Sequence, residues 1–509
     1  MKIKKLSFQE TGKFSKLVLD YINQKESVKD FISEFPTIKN FHKQIDKKSN
    51  DVVDRELLYE VLQEQNSKIE LSKSSQCNLN LLKNNNTYTV TTGHQLCIFT
   101  GPLYFIYKII STINLVNSLK SEYPSYNFVP VFWLASEDHD FEEISSINIF
   151  NKKVLWKTDQ KGSVGRLKLD DFDLVLEELD NIMGNDINYL NLKEVFINSY
   201  NKQNSLSEAT RFLINHLFGS YGLLVIDGDN KQLKSKLIDV IDKDVNENHF
   251  YKIISQTNKK IQKLYHKQAF VRPVNFFNIS DNNRVRIENK IDRQKIVNSP
   301  EDYSPNVLLR PIYQEMILPN IAYVGGGGEI SYWLQLKDVF SDLSLSMPIL
   351  VLRNSVLFID KKQSKKLTDL GLNSIDFFSE SDEVISKYIK NSSDNIDISS
   401  QISSINDGFL SISNNIKDQG LLRSLNALNQ KTNNSLNDFE KKIIKNLKNI
   451  KEDKINQINK LKALFFPENN LQERHDSFVM AYSKFGDNFI KNLISSLDPL
   501  DTNFVILDL

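Results

Sequence analysis

Residues 128–134, FVPVFWL, run for seven positions without a polar side chain. The run is too short to cross a membrane as a helix. Rich in aromatic and β-branched residues, it reads as a strand buried on both faces, and such strands belong to parallel sheets. The flanking sequence agrees. TYTVTTGHQ is a β-rich stretch ending at Gly93, and GPLYFIYKIISTINLVNSL follows it. There Pro102 suits a first helical turn, and Ile106, Ile109, Ile113 and Val116 fall at three- and four-residue steps, which predicts an amphipathic helix. Strand, helix, strand makes a βαβ unit. Further strands are expected in GLLVIDGD (222–229), IAYVGGGG (321–328) and MPILVLRNSVLFID (347–360), with helical sequence such as EISYWLQLKDVF between them. The alternation predicts an α/β fold with a doubly wound parallel sheet.

The C-terminal third has another period. Ile398, Ile402, Ile405, Phe409, Ile412 and Ile416 step by four and three, a seam repeating every seven residues. Gly420 is the expected break. Leu425 and Leu428 restart the pattern, Leu436, Phe439, Ile443, Leu447 and Ile450 continue it, and Ile455 and Ile458 follow one residue out of register. Two such helices predict an antiparallel coiled-coil hairpin ending at Pro467, with arms of roughly 35–45 residues or about 50–70 Å. The expected domains are a core over 1–375, a coiled-coil hairpin over 376–466 and a segment 467–509 that returns to the core. The core includes a helical N-terminal region and insertions near 141–220 and 230–305.

Composition excludes several classes of function. With 64 basic and 64 acidic side chains the formal net charge is zero, against a nucleic-acid partner held mainly by charge. Cys77 and Cys97 are the only cysteines, too few for a disulfide framework. The basic start MKIKKLSFQETGKF lacks the apolar run of a signal peptide, and no stretch is apolar enough for a membrane span. A cytoplasmic location is the expectation.

Three polar clusters sit at predicted strand ends, where open α/β sheets bind ligands. The first is Thr92–Gly93–His94–Gln95. The helix start near Gly101 and Pro102 offers free N–H groups to an anion, His94 could move a proton or hold a phosphate, and Lys108 lies two turns in. The alternative is a turn that needs its glycine. The second is Ser136–Glu137–Asp138–His139–Asp140. Carboxylates crowded this way perturb one another's proton affinity and suit acid/base or ligand-binding work; the alternative is a charged loop capping a helix. Its spacing matches no zinc signature, so no metal site is predicted. The third is Gly325–Gly326–Gly327–Gly328–Glu329, a close-approach turn and potential anion cradle that matches neither a dinucleotide fingerprint nor a P-loop; a tight structural turn is the alternative. Glu329 suits an amine or hydroxyl better than a phosphate. Nearby, Arg310 could clamp a carboxylate or phosphate, with Gln314 and Glu315 beside it, although a structural ion pair is equally compatible. The same two readings cover Arg353, Asp227 and Asp229. Cys97 reads as a packed thiol.

Taken in order, TTGHQLCIFTGPLYFIYKIIS, VPVFWLASEDHDFEEI, VGRL at 164–167, LLRPIYQEMILPNIAYVGGGGEISYWLQL, MPILVLR and LFFPENNLQER closely resemble the cysteine-adding enzyme family of bacillithiol biosynthesis over nearly the whole chain. The resemblance implies a Rossmann-like core with inserted connecting segments, a coiled coil that mediates a homodimer, and a ligase that joins cysteine to glucosaminyl-malate through an amide. The resemblance carries over motif positions and no settled catalytic roles; within those motifs, side-chain chemistry makes His94, Asp138 and His139 the catalytic candidates. Gly93, Gln95, Glu137, Asp140, Arg310, Gln314, Gly325 to Gly328 and Glu329 are the substrate-binding candidates. The chain departs from the family in GGGGE, where a proline often interrupts the glycines, and in GHQ, where glutamine is common in place of His94.

Amide formation from a free carboxylate needs activation, for which ATP is the expected source, through an acyl-adenylate or acyl-phosphate. That demands an anion cradle, a cation and a base. In this reading His139→Ala abolishes product formation. The competing readings are another class I nucleotidyl-transferring or amide-forming enzyme, and a coiled-coil scaffold without chemistry.

Overall fold

The computed structural model describes residues 2–150, 152–280, 283–392 and 398–509. They form two compact units. One comprises Lys5–Val356 with Glu473–Val505, the other Met1–Lys4, Leu357–Gln472 and Ile506–Leu509.

In the first unit the strands that matter are β1 (Thr87–His94), β2 (Asn127–Leu134), β3 (Leu224–Asp227), β4 (Phe276–Ser280), β5 (Asn283–Arg286), β6 (Tyr303–Pro305), β7 (Asn320–Gly325) and β8 (Ile349–Leu352). Five of them make one parallel sheet in the order β8–β7–β1–β2–β3. The expected doubly wound, Rossmann-like arrangement is therefore present. From β1 the chain moves outward to β2 and β3, then returns to β1's other side as β7. Such a reversal opens a crevice at the strands' carboxyl ends. Register aligns those ends: His94 pairs with Leu134, Leu134 with Asp227, and Gly325 with Leu352. At Gly93 the sheet is tight, since a Cβ would lie 3.1 Å from the Trp133 carbonyl oxygen.

The helix α1 (Tyr104–Glu122) crosses from β1 to β2. It is buried on every side from Phe105 to Val116, not on one stripe as an amphipathic helix would be. The sheet covers one face, and the helix Asn488–Ser496 and its following turn cover another, where Asn114 Nδ2 donates to the Ile494 and Leu497 carbonyls at 3.0 and 2.7 Å. The isoleucine spacing marked one stripe of a helix that is enclosed all round, and such a helix has no solvent face to read.

Between β3 and β7 lies a small antiparallel sheet in the order β5–β4–β6. A buried hub anchors it. Asp244 accepts from Asn275 N and Nδ2 at 2.5 and 3.0 Å, and Asn306 donates from N and Nδ2 to Asn275 O and Oδ1 at 2.8 and 3.0 Å.

The second unit carries the C-terminal helices. After α2 (Lys231–Lys234), α3 (Arg310–Ile317) and α4 (Gly327–Trp333) of the first unit come α5 (Ser399–Asn414), α6 (Gln419–Ile450) and α7 (Glu452–Phe465). Residues 393–397 of the expected hairpin lie outside the described residues. α5 and α6 form the hairpin, tied by Asn433 Nδ2 donating to Asn406 Oδ1 at 2.8 Å. The break falls before Gly420, because Asp418 caps α6 by accepting from Leu421 N at 2.8 Å. Ile450 and Glu452 flank the join of α6 and α7 at Lys451, where the seam shifts by one. The two arms are unequal: 16 residues of α5 against 32 of α6, or about 24 and 48 Å. Several predicted seam residues face outward: Ile412, Leu428, Phe439 and Ile450 are more than half exposed. Among the described residues no helix is long and apolar enough to cross a membrane.

Candidate functional site

The carboxyl edge of the parallel sheet opens into a cavity of about 710 Å³. One wall is the sheet edge: Gly93, His94 and Gln95 after β1, Ser136 to Asp138 after β2, Gly326 to Glu329 after β7, and Arg353 after β8. The facing wall is the antiparallel sheet and the start of α3, with Phe277, Arg284, Arg286 and Arg310. The acid–histidine loop and the glycine run, more than 180 residues apart in sequence, thus share one pocket.

The glycine turn is fixed by Glu329. Its Oε2 accepts from Gly326 N at 2.8 Å and lies 2.5 Å from Lys108 Nζ, while Oε1 accepts from the Tyr323 hydroxyl at 2.6 Å. Lys108 also donates to the Gly93 carbonyl at 2.8 Å. Burial alone would raise the Glu329 carboxyl, but Lys108, Tyr323 and the Gly326 amide outweigh it and hold it below its ordinary value. Glu329 therefore lines the cavity with both oxygens engaged. It is not the open amine site that its sequence position suggested.

Three cations meet at this end, Lys108 and Arg353 buried and Arg310 partly buried, and their partners differ. Lys108 has Glu329. Arg353, 4% exposed, donates through Nη2 to Glu473 at 2.8 Å and through Nη1 to the Asn354 carbonyl at 2.9 Å. Arg310 makes no ion pair within 4 Å among the described residues, while Glu329 and Tyr332 favour its charge. Its Nη1 donates to the amide oxygen of Gln314 at 3.0 Å, and Trp133 and Tyr323 flank its guanidinium at 5.9 and 5.5 Å. Both Arg310 Nη2 and Arg353 Nε are buried without a hydrogen-bond partner. Buried donors left open cost free energy, so an oxyanion fits here.

Gln95 spans two carboxylates, donating from Nε2 to Asp138 Oδ2 at 2.7 Å and Glu143 Oε2 at 2.6 Å. Burial would raise Asp138, but Gln95, the His139 amide and Arg284 hold its carboxyl below the ordinary value. Glu137 behaves oppositely: burial raises its carboxyl against the pull of Lys234. That lysine, fully buried in α2, lies 2.7 Å from Glu137 Oε1 and 2.9 Å from Asp229 Oδ1. Arg166 closes the chain with two hydrogen bonds to Asp229, of 2.6 and 2.8 Å. Asp227 accepts from the hydroxyls of Ser136 and Ser207. These two aspartates hold structure behind the loop.

His94 has its imidazole against Tyr104 and Phe105, with Nδ1 3.0 Å from the Gln95 carbonyl. That oxygen can only accept, so Nδ1 carries the hydrogen and Nε2 is the bare acceptor. Burial, then Lys108, lowers its pKa from 6.5 to about 3, which makes it a neutral acceptor at pH 7 and a weak base. The unfolded chain protonates this imidazole as pH falls through 6.5 and the folded chain does not. Stability is thus lost below pH 6.5, levelling near pH 3. His94→Gln removes that loss. On moving from pH 7 to pH 5 its stability relative to the parent improves by about 1–2 kcal/mol. Urea unfolding at the two pH values reads this directly, and an unchanged difference refutes it.

Four sequence candidates lie outside the cavity lining. His139 is exposed. Its Nδ1 faces Arg284 Nη1 at 3.0 Å and Asp138 Oδ1 at 3.5 Å. Since a guanidinium only donates, Nδ1 is the acceptor and cannot also serve Asp138. Asp140 caps the short helix Phe141–Ile144 by accepting from Glu143 N at 3.3 Å, as its loop-cap alternative had it. Gln314 is buried and orients Arg310. Gly325 ends β7 and accepts from Arg353 N at 2.9 Å. Cys97 is packed, its thiol pushed up by burial to about 12.

Sequence reasoning missed Arg272, Arg284, Arg286 and Arg474, all in the lining. Among the described residues no group of three or more His, Cys, Asp or Glu could hold a metal ion.

Residues 1–354 match a family model described as bacillithiol biosynthesis BshC, N-terminal Rossmann-like domain, and residues 356–509 match the C-terminal coiled-coil domain of the same family. The chain is similar to a Flavobacterium johnsoniae protein, 39% identical over 523 aligned positions that cover 99% of both chains. A Cytophaga hutchinsonii protein is 35% identical with 98% of both chains covered, and a Chlorobaculum tepidum protein 29% identical over 70% of this chain and 69% of its own. All three carry the provisional name cysteine ligase BshC.

Proposed function

The chain belongs to the BshC family of bacillithiol biosynthesis, and from that premise we propose that it joins cysteine to glucosaminyl-malate through an amide bond. The observation that carries this reading is the pairing, in one cavity, of open buried guanidinium donors at Arg310 and Arg353 with the two carboxylates Glu137 and Asp138. The first suits the carboxyl being activated, the second the amine that attacks it.

Asp138, kept ionised by its hydrogen bonds, orients the acceptor's neutral amine by accepting a hydrogen bond from it. Glu137, whose proton affinity burial raises, takes the proton as the nitrogen attacks. Arg310 and Arg353 meet the oxyanion that develops on the donor side, and His94 Nε2 accepts a hydrogen bond there. ATP, when bound, supplies the leaving group that makes the cysteine carboxyl acylating, and the same open guanidinium donors fit its phosphates. A C–N bond forms, the bond from acyl carbon to the leaving oxygen breaks, and the amine's proton goes to Glu137. The purified protein given cysteine, glucosaminyl-malate and ATP yields bacillithiol by mass spectrometry, and Asp138→Asn lowers acceptor kcat/KM by about 10²-fold or more. A folded protein that makes no amide under these conditions sinks the reading.

The second unit supports a homodimer. On α6, Leu421, Leu428, Phe439 and Ile450 are each more than half exposed and recur at steps of seven and eleven, a stripe in addition to the hairpin seam. A recurrent apolar stripe of this kind suits a helix–helix interface, and the proposed partner is a second copy. Leu428→Asp with Phe439→Asp gives a monomer in sedimentation velocity; an unchanged sedimentation coefficient argues against this face.

A further inference from the structure

The donor end of the pocket is a compact group of buried charges, each with a defined neighbour. The wall facing it is different. Arg284 and Arg286 stand two apart on β5, so they share one face, and both guanidinium groups lie over the ring of Phe277 on β4, at 3.9 and 5.3 Å. Arg284 is braced further by the Pro305 carbonyl at 3.0 Å and the Ser304 hydroxyl at 3.3 Å. Arg272, just before the sheet, leans on Phe270 at 5.8 Å. All three arginines line the cavity. Among the described residues none of the three makes an ion pair closer than 4 Å with a carboxylate. Three guanidinium groups on one wall with no ion pair within 4 Å among the described residues make a surface suited to an anion.

Position says which anion. Arg284 touches His139 and feels Glu137 and Asp138, so the arginine wall borders the carboxylates assigned to the acceptor amine. In glucosaminyl-malate the amine and the malyl group sit on adjacent ring carbons, so whatever holds one places the other nearby. Residues i and i+2 of a strand lie about 7 Å apart, a span that two guanidinium forks close around the ends of a four-carbon diacid.

Building on the acceptor named above, we propose that Arg284 and Arg286, backed by Arg272, form a diacid clamp. Their forks bind the two malyl carboxylates, and by doing so set the neighbouring amine against Asp138 and Glu137. The clamp selects an acceptor bearing a dianion over a neutral glycoside of the same amino sugar, and it divides the cavity into an acceptor wall on the inserted sheet and a donor wall on the parallel sheet.

Isothermal titration of the full chain with malate alone tests this without turnover. Wild type binds malate, and Arg286→Ala, an exposed position where folding is not at stake, weakens binding at least about tenfold, the loss of one charge-assisted contact. Arg272→Ala with Arg286→Ala weakens it further. In steady state the acceptor KM rises by a similar factor, the KM for cysteine stays within twofold, and methyl glucosaminide is used no worse by the variant than by wild type. Malate that fails to bind wild type, or binds the double variant equally well, overturns the clamp. So does a rise in the cysteine KM instead of the acceptor KM. If malate binding follows the arginines and no amide forms, the clamp stands and the assigned reaction fails. If amide forms with acceptor KM unmoved, the reaction stands and the clamp fails.

Discussion

Replacing Lys108 with methionine lowers the unfolding free energy by about 3–5 kcal/mol, the cost of leaving one member of a buried ion pair alone. The stem of methionine fills most of the lysine's volume, so the loss is electrostatic. Glu329 remains, partly buried, between Tyr323 and the Gly326 amide with only the more distant Arg310 and Arg353 to balance it, and the Gly93 carbonyl loses its donor. Lys108 is the point where the ends of β1 and β7 are tied to α1, so the loss reaches the pocket as well. Adding Glu329→Gln recovers part of the stability, because the orphaned charge is gone. Urea unfolding of the four proteins in that double-mutant cycle gives the coupling energy. A single-variant loss below about 1 kcal/mol, the range of exposed pairs, would mean that water reaches the pair.

Arg310→Met behaves in the opposite way. It removes a guanidinium that makes no ion pair within 4 Å among the described residues, although Tyr323, Tyr332 and Glu329 favour its charge, and puts a polarisable side chain against Trp133 and Tyr323, where sulfur–aromatic contact is favourable. Stability changes little, since Arg310 has no ion pair within 4 Å to lose and the new side chain keeps the contacts with the rings. Activity falls by about 10²–10³ in kcat/KM, the usual effect of deleting one donor aimed at a developing oxyanion. Lysine does not rescue it, because the flanking rings and Gln314 fit a planar fork and not a point charge. The measurement is steady-state kinetics beside thermal unfolding of the same preparation. Lost activity with lost stability would make Arg310 a structural residue.

The contrast between these two cations shows what was legible in the chain and what was not. FVPVFWL, TYTVTTGH and IAYVG announced their strands because a strand buried on both faces has no alternative composition. The clusters behind them were legible for the same reason: in a parallel sheet all carboxyl ends lie on one edge, so polar residues that follow apolar runs converge. The pairing of Lys108 with Glu329 was not legible, since it joins residues more than 200 positions apart and depends on strand order. The arginine wall was hidden further. Its strands, FFNIS and NRVR, are short, lie in a segment read only as an insertion, and offer arginines that look like ordinary surface charge. The outward stripe on α6 was read as seam, because spacing alone does not say which of two faces the neighbouring arm covers.

The sheet order carries one more consequence, for the chain as it is made. β1 sits between β2 and β7. During synthesis β2 follows at once, but β7 emerges more than 200 residues later, a wait on the order of 10–50 s at ribosomal speeds. Through that interval β1 presents an open backbone edge of eight residues, nearly all apolar or uncharged, which is the kind of edge that recruits stray strands. Whatever shields it on the ribosome decides how much of this protein reaches its native state.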